Sequence, residues 1–165
     1  MSGFSIQSVP ETYLTVVMNT RNLAITEYQS YGFNSYATVN GVFCGVNSSG
    51  LFELDGDDDA GTNIDWSVKT GQLDDKSVLL KRVPEVVVGL RSSGPIRVRV
   101  YKDDTEYYDE MLPATDLKTI HQQYVHPGKG MRSRYFSVEL QGMGGSAAEI
   151  DSLQVNMTRT TRRVG

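Results

Sequence analysis

Apolar and polar residues alternate with a period of two along most of this chain, and the runs are short and punctuated by turn-forming residues, which is the pattern of antiparallel strands joined by turns. Thr12-Tyr-Leu-Thr-Val-Val-Met18 and Asn22-Leu-Ala-Ile-Thr-Glu-Tyr28, separated by Asn19-Thr-Arg21, predict a hairpin. Val42-Phe-Cys-Gly-Val46 and Gly50-Leu-Phe-Glu-Leu54 predict a second one across Asn47-Ser-Ser49. In Asn63-Ile-Asp-Trp-Ser-Val-Lys69 the apolar Ile64, Trp66 and Val68 share one face and Asp65, Ser67 and Lys69 the other, as in a strand buried on one side.

Further along, Val83-Pro-Glu-Val-Val-Val-Gly-Leu90 and Ile96-Arg-Val-Arg-Val-Tyr101 flank Ser92-Ser-Gly-Pro95 and predict a hairpin. Arg97 and Arg99 are expected to face away from Ile96, Val98 and Val100. Glu106-Tyr-Tyr-Asp-Glu-Met-Leu112, Arg132-Ser-Arg-Tyr-Phe-Ser-Val-Glu-Leu140 and Ala148-Glu-Ile-Asp-Ser-Leu-Gln-Val-Asn-Met157 complete the set of strands. A helix or a long loop is expected over Ala114–Val125, where Leu117, Ile120, Tyr124 and Val125 recur at helical spacing. With roughly eight or more strands and turn signals about every ten residues, the expected fold is all-β: an antiparallel β-sandwich or barrel-like domain of jelly-roll type, with long loops and at most one short helix. A length of 165 residues predicts a single domain over 1–165, with an N-terminal arm at 1–10 and a basic tail at 159–165.

Composition narrows the function classes. Hydrophobic residues at 39% and charged residues at 22% suit a folded chain, and a net charge of −4 offers no basic face for nucleic acid or an anionic membrane surface. No window approaches the roughly 18 apolar residues of a membrane helix, and Met1-Ser-Gly-Phe-Ser-Ile-Gln7 lacks the charged flank and apolar core of a secretory signal. A single cysteine, Cys44, excludes an intrachain disulfide and reads as a small core residue made in a reducing cytoplasm.

Catalytic and ligand-binding patterns fail one after another. Asp55, Asp57 and Asp59 head an oxygen-rich turn that suggests calcium, but a calcium-binding loop starting at Asp55 would have Ala60 where Gly is required and Trp66 where Glu is required. A solvated turn between strands is therefore the expectation, with no metal and no cofactor. His121 and His126 lack the spacing of paired ligands on one helix face. Pro127-Gly-Lys-Gly-Met131 lacks the preceding Gly and following Ser or Thr of a phosphate-binding loop. No acid, base and nucleophile arrangement is recognisable, so the expectation is a protein that is not an enzyme. Arg159, Arg162 and Arg163 form a compact positive patch suited to docking on an acidic neighbour, such as the Asp57–Asp59 turn of a second copy.

The order Phe33-Asn-Ser35, Gly50-Leu-Phe-Glu-Leu-Asp-Gly56, Ile64–Lys69 followed by Thr70-Gly71, Lys81-Arg82, Tyr107, Gly130-Met-Arg-Ser-Arg-Tyr-Phe136, Ile150-Asp-Ser152 and Arg162-Arg163 resembles small virion proteins of tailed bacteriophages and related prophages. Gly142-Met-Gly-Gly-Ser-Ala-Ala-Glu149 departs from the polar, aspartate-bearing turn expected at that place. The resemblance implies a structural component of the tail tip or baseplate, made in the host cytoplasm and residing in the virion. It implies a homo-oligomer, a trimer or hexamer closed into a ring, in contact with other tail or baseplate proteins and with neither nucleic acid nor membrane insertion. Arg97, Arg99, Arg132, Arg134, Arg159, Arg162 and Arg163 are the expected interface residues, together with the arm Met1–Pro10. The alternative is a carbohydrate- or receptor-binding β-sandwich in which Tyr107, Tyr108, Tyr124 and Tyr135 stack on sugar rings with the help of calcium.

Overall fold

A computed structural model describes residues 14–29, 31–56, 58–59, 61–128 and 130–160. The expected arm at 1–10, Asp57, and Arg162 and Arg163 of the tail lie outside the described residues, as does the side chain of Tyr107. The protein is all-β: strands in several antiparallel sheets, with no helix among the described residues. By its internal contacts the chain divides into two compact units, Met1–Gly56 and Asp57–Gly165. Among the described residues every strand pairing joins strands of the same unit.

The first unit holds two small sheets. β1 (Leu14–Met18) pairs with β2 (Ile25–Gln29), with Met18 opposite Ile25. Their connection is longer than Asn19–Arg21, because Asn19 N–H reaches Ala24 O at 2.9 Å and Leu23 N–H reaches Asn19 O at 2.8 Å. β3 (Ser35–Val39), β4 (Val42–Asn47) and β5 (Gly50–Glu53) form a meander. Its first turn is Asn40-Gly41, both at positive φ, the mirror-image turn whose twist matches that of the strands it joins. The second is Asn47–Gly50, where Asn47 Oδ1 accepts the Ser49 N–H at 2.8 Å.

The second unit opens with a minimal ladder, β6 (Asp58–Asp59) on β7 (Thr62–Asn63). Seven longer strands follow: β8 (Trp66–Lys69), β9 (Lys81–Ser92), β10 (Ile96–Lys102), β11 (Thr105–Leu112), β12 (His121–Val125), β13 (Phe136–Gly142) and β14 (Ala148–Arg159). They form a four-stranded sheet in the order β11-β10-β13-β8 and a three-stranded sheet in the order β12-β9-β14. The pairings nest like a hairpin rolled on itself: β10 with β11, then β9 with β12, then β8 with β13, which is jelly-roll topology.

Alternation explains why the two sheets close on each other. On β10, Ile96, Val98 and Val100 are fully buried while Arg97 and Arg99 face outward, as the sequence predicts. Val83, Val86, Val88 and Leu90 of β9, Val125 of β12, and Phe136, Val138 and Leu140 of β13 join them in one core. Full burial of each such side chain contributes about 1.5–3 kcal/mol before the entropy of ordering it is subtracted.

Four expectations change. The strand expected over Asn63–Lys69 runs only over Trp66–Lys69, and Ile64 and Val68 are exposed. Ser92–Pro95 is a corner and not a hairpin, because β9 and β10 belong to different sheets. Over Ala114–Val125 the chain takes the loop alternative as far as Ile120 and forms no helix: Leu117, Ile120 and Tyr124 are exposed, so their helical spacing has no surface to pack on, and His121–Val125 is the strand β12. The strand expected from Arg132 begins only at Phe136. Before it, Ser133 makes a two-way bridge to the backbone of Lys81 at 2.8 and 3.1 Å.

Candidate functional site

The outward face of the four-stranded sheet carries the densest polar chemistry in the second unit. In one row across the strands, Asp109 of β11, Arg99 of β10, Glu139 of β13 and Lys69 of β8 lie in cross-strand register, alternating in sign. Arg97 Nε donates to both oxygens of Asp109 at 2.8 and 2.9 Å. That pairing holds the Asp109 carboxyl below its ordinary range and raises the Arg97 guanidinium. Arg99 stands 3.5 Å from both Glu106 and Glu139, its Nε at ion-pair distance without a hydrogen bond. The Tyr101 hydroxyl donates to Glu139, which raises the phenol because ionising it would place two anions together. Lys69 Nζ sits 3.7 Å above the Tyr101 ring centroid.

This arrangement balances its own charge. Arg97 and Arg99, expected at an interface, pair within their own sheet with Asp109, Glu106 and Glu139. Arg132 and Arg134 differ: they flank the buried Ser133, both are exposed, and among the described residues neither has an ion-pair partner. Arg159 pairs with Asp75 at 3.2 Å.

The carboxylates proposed for calcium are used in turns. Asp55 Oδ1 accepts the Gly56 N–H at 2.8 Å, and Asp59 pairs with Thr62 in the β6–β7 ladder. Among the described residues no three carboxylate, imidazole or thiol groups converge as a metal site. His121 lies beside Asp116, whose carboxylate accepts the backbone N–H of Thr119 and of Lys118, both at 2.8 Å. Those donors stabilise its charged form and lower it to about 2. Of the tyrosines considered for stacking, Tyr124 and Tyr135 are exposed, whereas Tyr108 packs against the core and donates to Glu110 at 2.8 Å.

The first unit holds a feature that charge-based reasoning passes over. Leu14, Val16, Val17 and Met18 of β1 are 66, 55, 43 and 53% exposed, so both faces of this strand present apolar side chains to solvent. Leu23, Ile25, Tyr28, Tyr36, Val39, Phe43 and Leu51 are exposed as well. Tyr36 and Phe43 stack at 5.9 Å with their rings 8° from parallel, and Phe33 packs on Phe52 at 5.6 Å. Among the described residues of this unit, Cys44 is the one buried hydrophobic side chain. The signal was present in Leu14-Thr-Val-Val-Met18, which breaks strict alternation as strands buried on both faces do.

No family model matches this chain, and no curated protein matches it. An uncharged apolar strand that, among the described residues, is paired on one edge only is a template for pairing with another chain, and exposed apolar surface of this kind marks interaction sites.

Proposed function

We propose that this protein is a structural subunit of a phage tail tip or baseplate, assembled through protein–protein contacts into a symmetric ring that links the tail to host-recognition parts. The observation that carries the reading is the exposure of apolar residues on both faces of β1 and across β2–β5, which leaves the first unit with almost no core of its own. Three or fewer strands without a packed face are marginal in water, so such a unit gains its stability when a neighbour covers it. In a ring every copy offers and receives one such surface, and closure multiplies a modest pairwise affinity. The ordered motifs from Phe33 to Arg163 that resemble tail and baseplate proteins supply the particular setting, a virion assembled in the host cytoplasm with other tail proteins as neighbours.

The test is the mass of the purified full-length chain by light scattering, followed by electron microscopy of any particle larger than the 18.3 kDa monomer. The expected result is a closed trimer or hexamer that dissociates when Val16→Lys and Phe43→Lys are introduced. A strict monomer that binds a glycan or calcium would overturn the reading in favour of a receptor-binding module.

A further inference from the structure

The rolled-hairpin pairing of the second unit is one strand short of the eight of a full jelly roll. β10·β11, β9·β12 and β8·β13 are nested pairs, and β14 should have its own partner outside them, yet among the described residues it pairs with β9 alone. The gap is visible as a seam between β8 and β14. At one end a cleft of about 610 Å³ is lined by Ile64, Trp66, Val68, Ala148 and Ile150. At the other a cleft of about 520 Å³ is lined by Leu73, Leu153, Val155 and Met157.

We infer that the seam is closed by β14 of a second copy, antiparallel about a two-fold axis at Gln154, giving a continuous sheet β12-β9-β14-β14-β9-β12 across the pair. The charge order of the strand selects this occupant. β14 begins acidic, with Glu149 and Asp151, ends basic, with Arg159, and is uncharged from Ser152 to Thr158, so an antiparallel copy sets the acidic start of each strand against the basic end of the other, beside the pairs that Glu149 makes with Arg91 and Arg159 with Asp75 on their own chain. The register also preserves the faces. With Gln154 on the axis, Leu153 opposes the other copy's Val155, both core-facing, and Ser152 opposes Asn156, both outward. Shifts in the β9 ladder at Ile150/Ser152 and Asn156/Thr158 bracket the regular run Ser152–Asn156 in which this pairing is centred. No Pro or Lys protects the edge.

This inference does not rest on the first unit, and its test is separate; of the two ring orders it fits the hexamer, whose copies can pair two by two. In full-length protein carrying Cys44→Ser, Gln154→Cys places two thiols directly opposite each other at a Cα separation of about 4.5–5.5 Å, within disulfide span. Mild oxidation is expected to give a covalent dimer on non-reducing gels, with Met111→Cys on the opposite sheet edge giving none. The same cross-link is expected in the Val16→Lys protein, so failure of the ring reading would leave it intact. Absence of the Gln154→Cys dimer in a protein with unchanged circular dichroism overturns the inference, and equal cross-linking through Met111→Cys overturns it as random collision.

Discussion

The indole of Trp66 packs over the backbone of Gly142, its register partner on β13, and donates from Nε1 to the Ser146 carbonyl at 2.7 Å. A Cβ at position 142 would stand 2.2 Å from that nitrogen, so the glycine is required by contact and not by backbone angle. Gly142→Ala is expected to push the indole off the sheet and destabilise the second unit by about 1–3 kcal/mol. Trp66→Phe keeps most of the packing and loses the donor, costing about 1 kcal/mol. Urea midpoints followed by far-UV circular dichroism would check both. A Gly142→Ala protein as stable as the parent would mean that the indole has room to move.

Lys81 is fully buried at the start of β9, and its Nζ donates to the carbonyls of Ser77 at 2.6 Å and Leu79 at 3.2 Å. The ammonium thus ties down the 77–80 segment, whose Leu80 carbonyl also receives the Thr160 N–H at 2.9 Å. Lys81→Met keeps the aliphatic stem but leaves two carbonyls without that donor, an expected loss of about 1–3 kcal/mol. Hydrogen exchange should quicken at residues 77–80 while the amides of β10 and β13 remain protected. Uniform quickening would show the lysine to be a general core residue instead of a local clamp.

How far such features were legible differs between residues. Alternation marked Ile96–Tyr101 and the outward arginines, because a half-buried strand imposes its period on its own sequence. The Ser92–Pro95 corner was not separable from a hairpin: the same turn residues serve both, and the choice of sheet is made by β12, β13 and β14, which are distant in sequence. β3 was missed although Asn40-Gly41, a strong hairpin signal, sits at its end. Charge drew attention to Arg97 and Arg99, whose partners Asp109, Glu106 and Glu139 lie on neighbouring strands that sequence spacing cannot bring together.

Asp116 should titrate low for an aspartate. Its pKa is lowered from 3.8 to about 2 by the N–H groups of Thr119 and Lys118, so the native state binds its proton less readily than the unfolded chain. The stability it contributes is therefore complete above about pH 4 and is lost as pH falls towards 2. Carboxyl chemical shifts recorded against pH are expected to place its midpoint near the bottom of that window, and Asp116→Asn should flatten the stability profile there. A midpoint at the ordinary aspartate value would mean that the turn opens in solution.

Exposed Arg132 and Arg134 should behave differently from Arg97. Reversing both to Glu is expected to weaken self-association and reduce its dependence on salt, since their charge is uncompensated among the described residues. Arg97→Ala removes a guanidinium already held by Asp109, so it should leave the assembled mass unchanged and lower stability at neutral pH. Sedimentation at two ionic strengths distinguishes them. Equal effects of the two changes on mass would return Arg97 to the interface.

The two units carry natural reporters, because the chain has one cysteine and one tryptophan, Cys44 in the first unit and Trp66 in the second. Cys44 is 5% exposed and its thiol donates to the Val42 carbonyl at 3.6 Å, so it reacts with a thiol reagent only when β3–β5 open. Trp66 fluorescence follows the sandwich, whose fully buried valines, leucines, Ile96 and Phe136 outweigh the small core around Cys44. Urea is therefore expected to expose the thiol well before it shifts the fluorescence, and the two transitions should not coincide. Raising the protein concentration should move the thiol transition to higher urea, because association covers the apolar strands of the first unit and binding to the native state alone stabilises it. Coincident transitions independent of concentration would mean that β1–β5 are held by contacts within one chain, and would remove the physical reason for assembly.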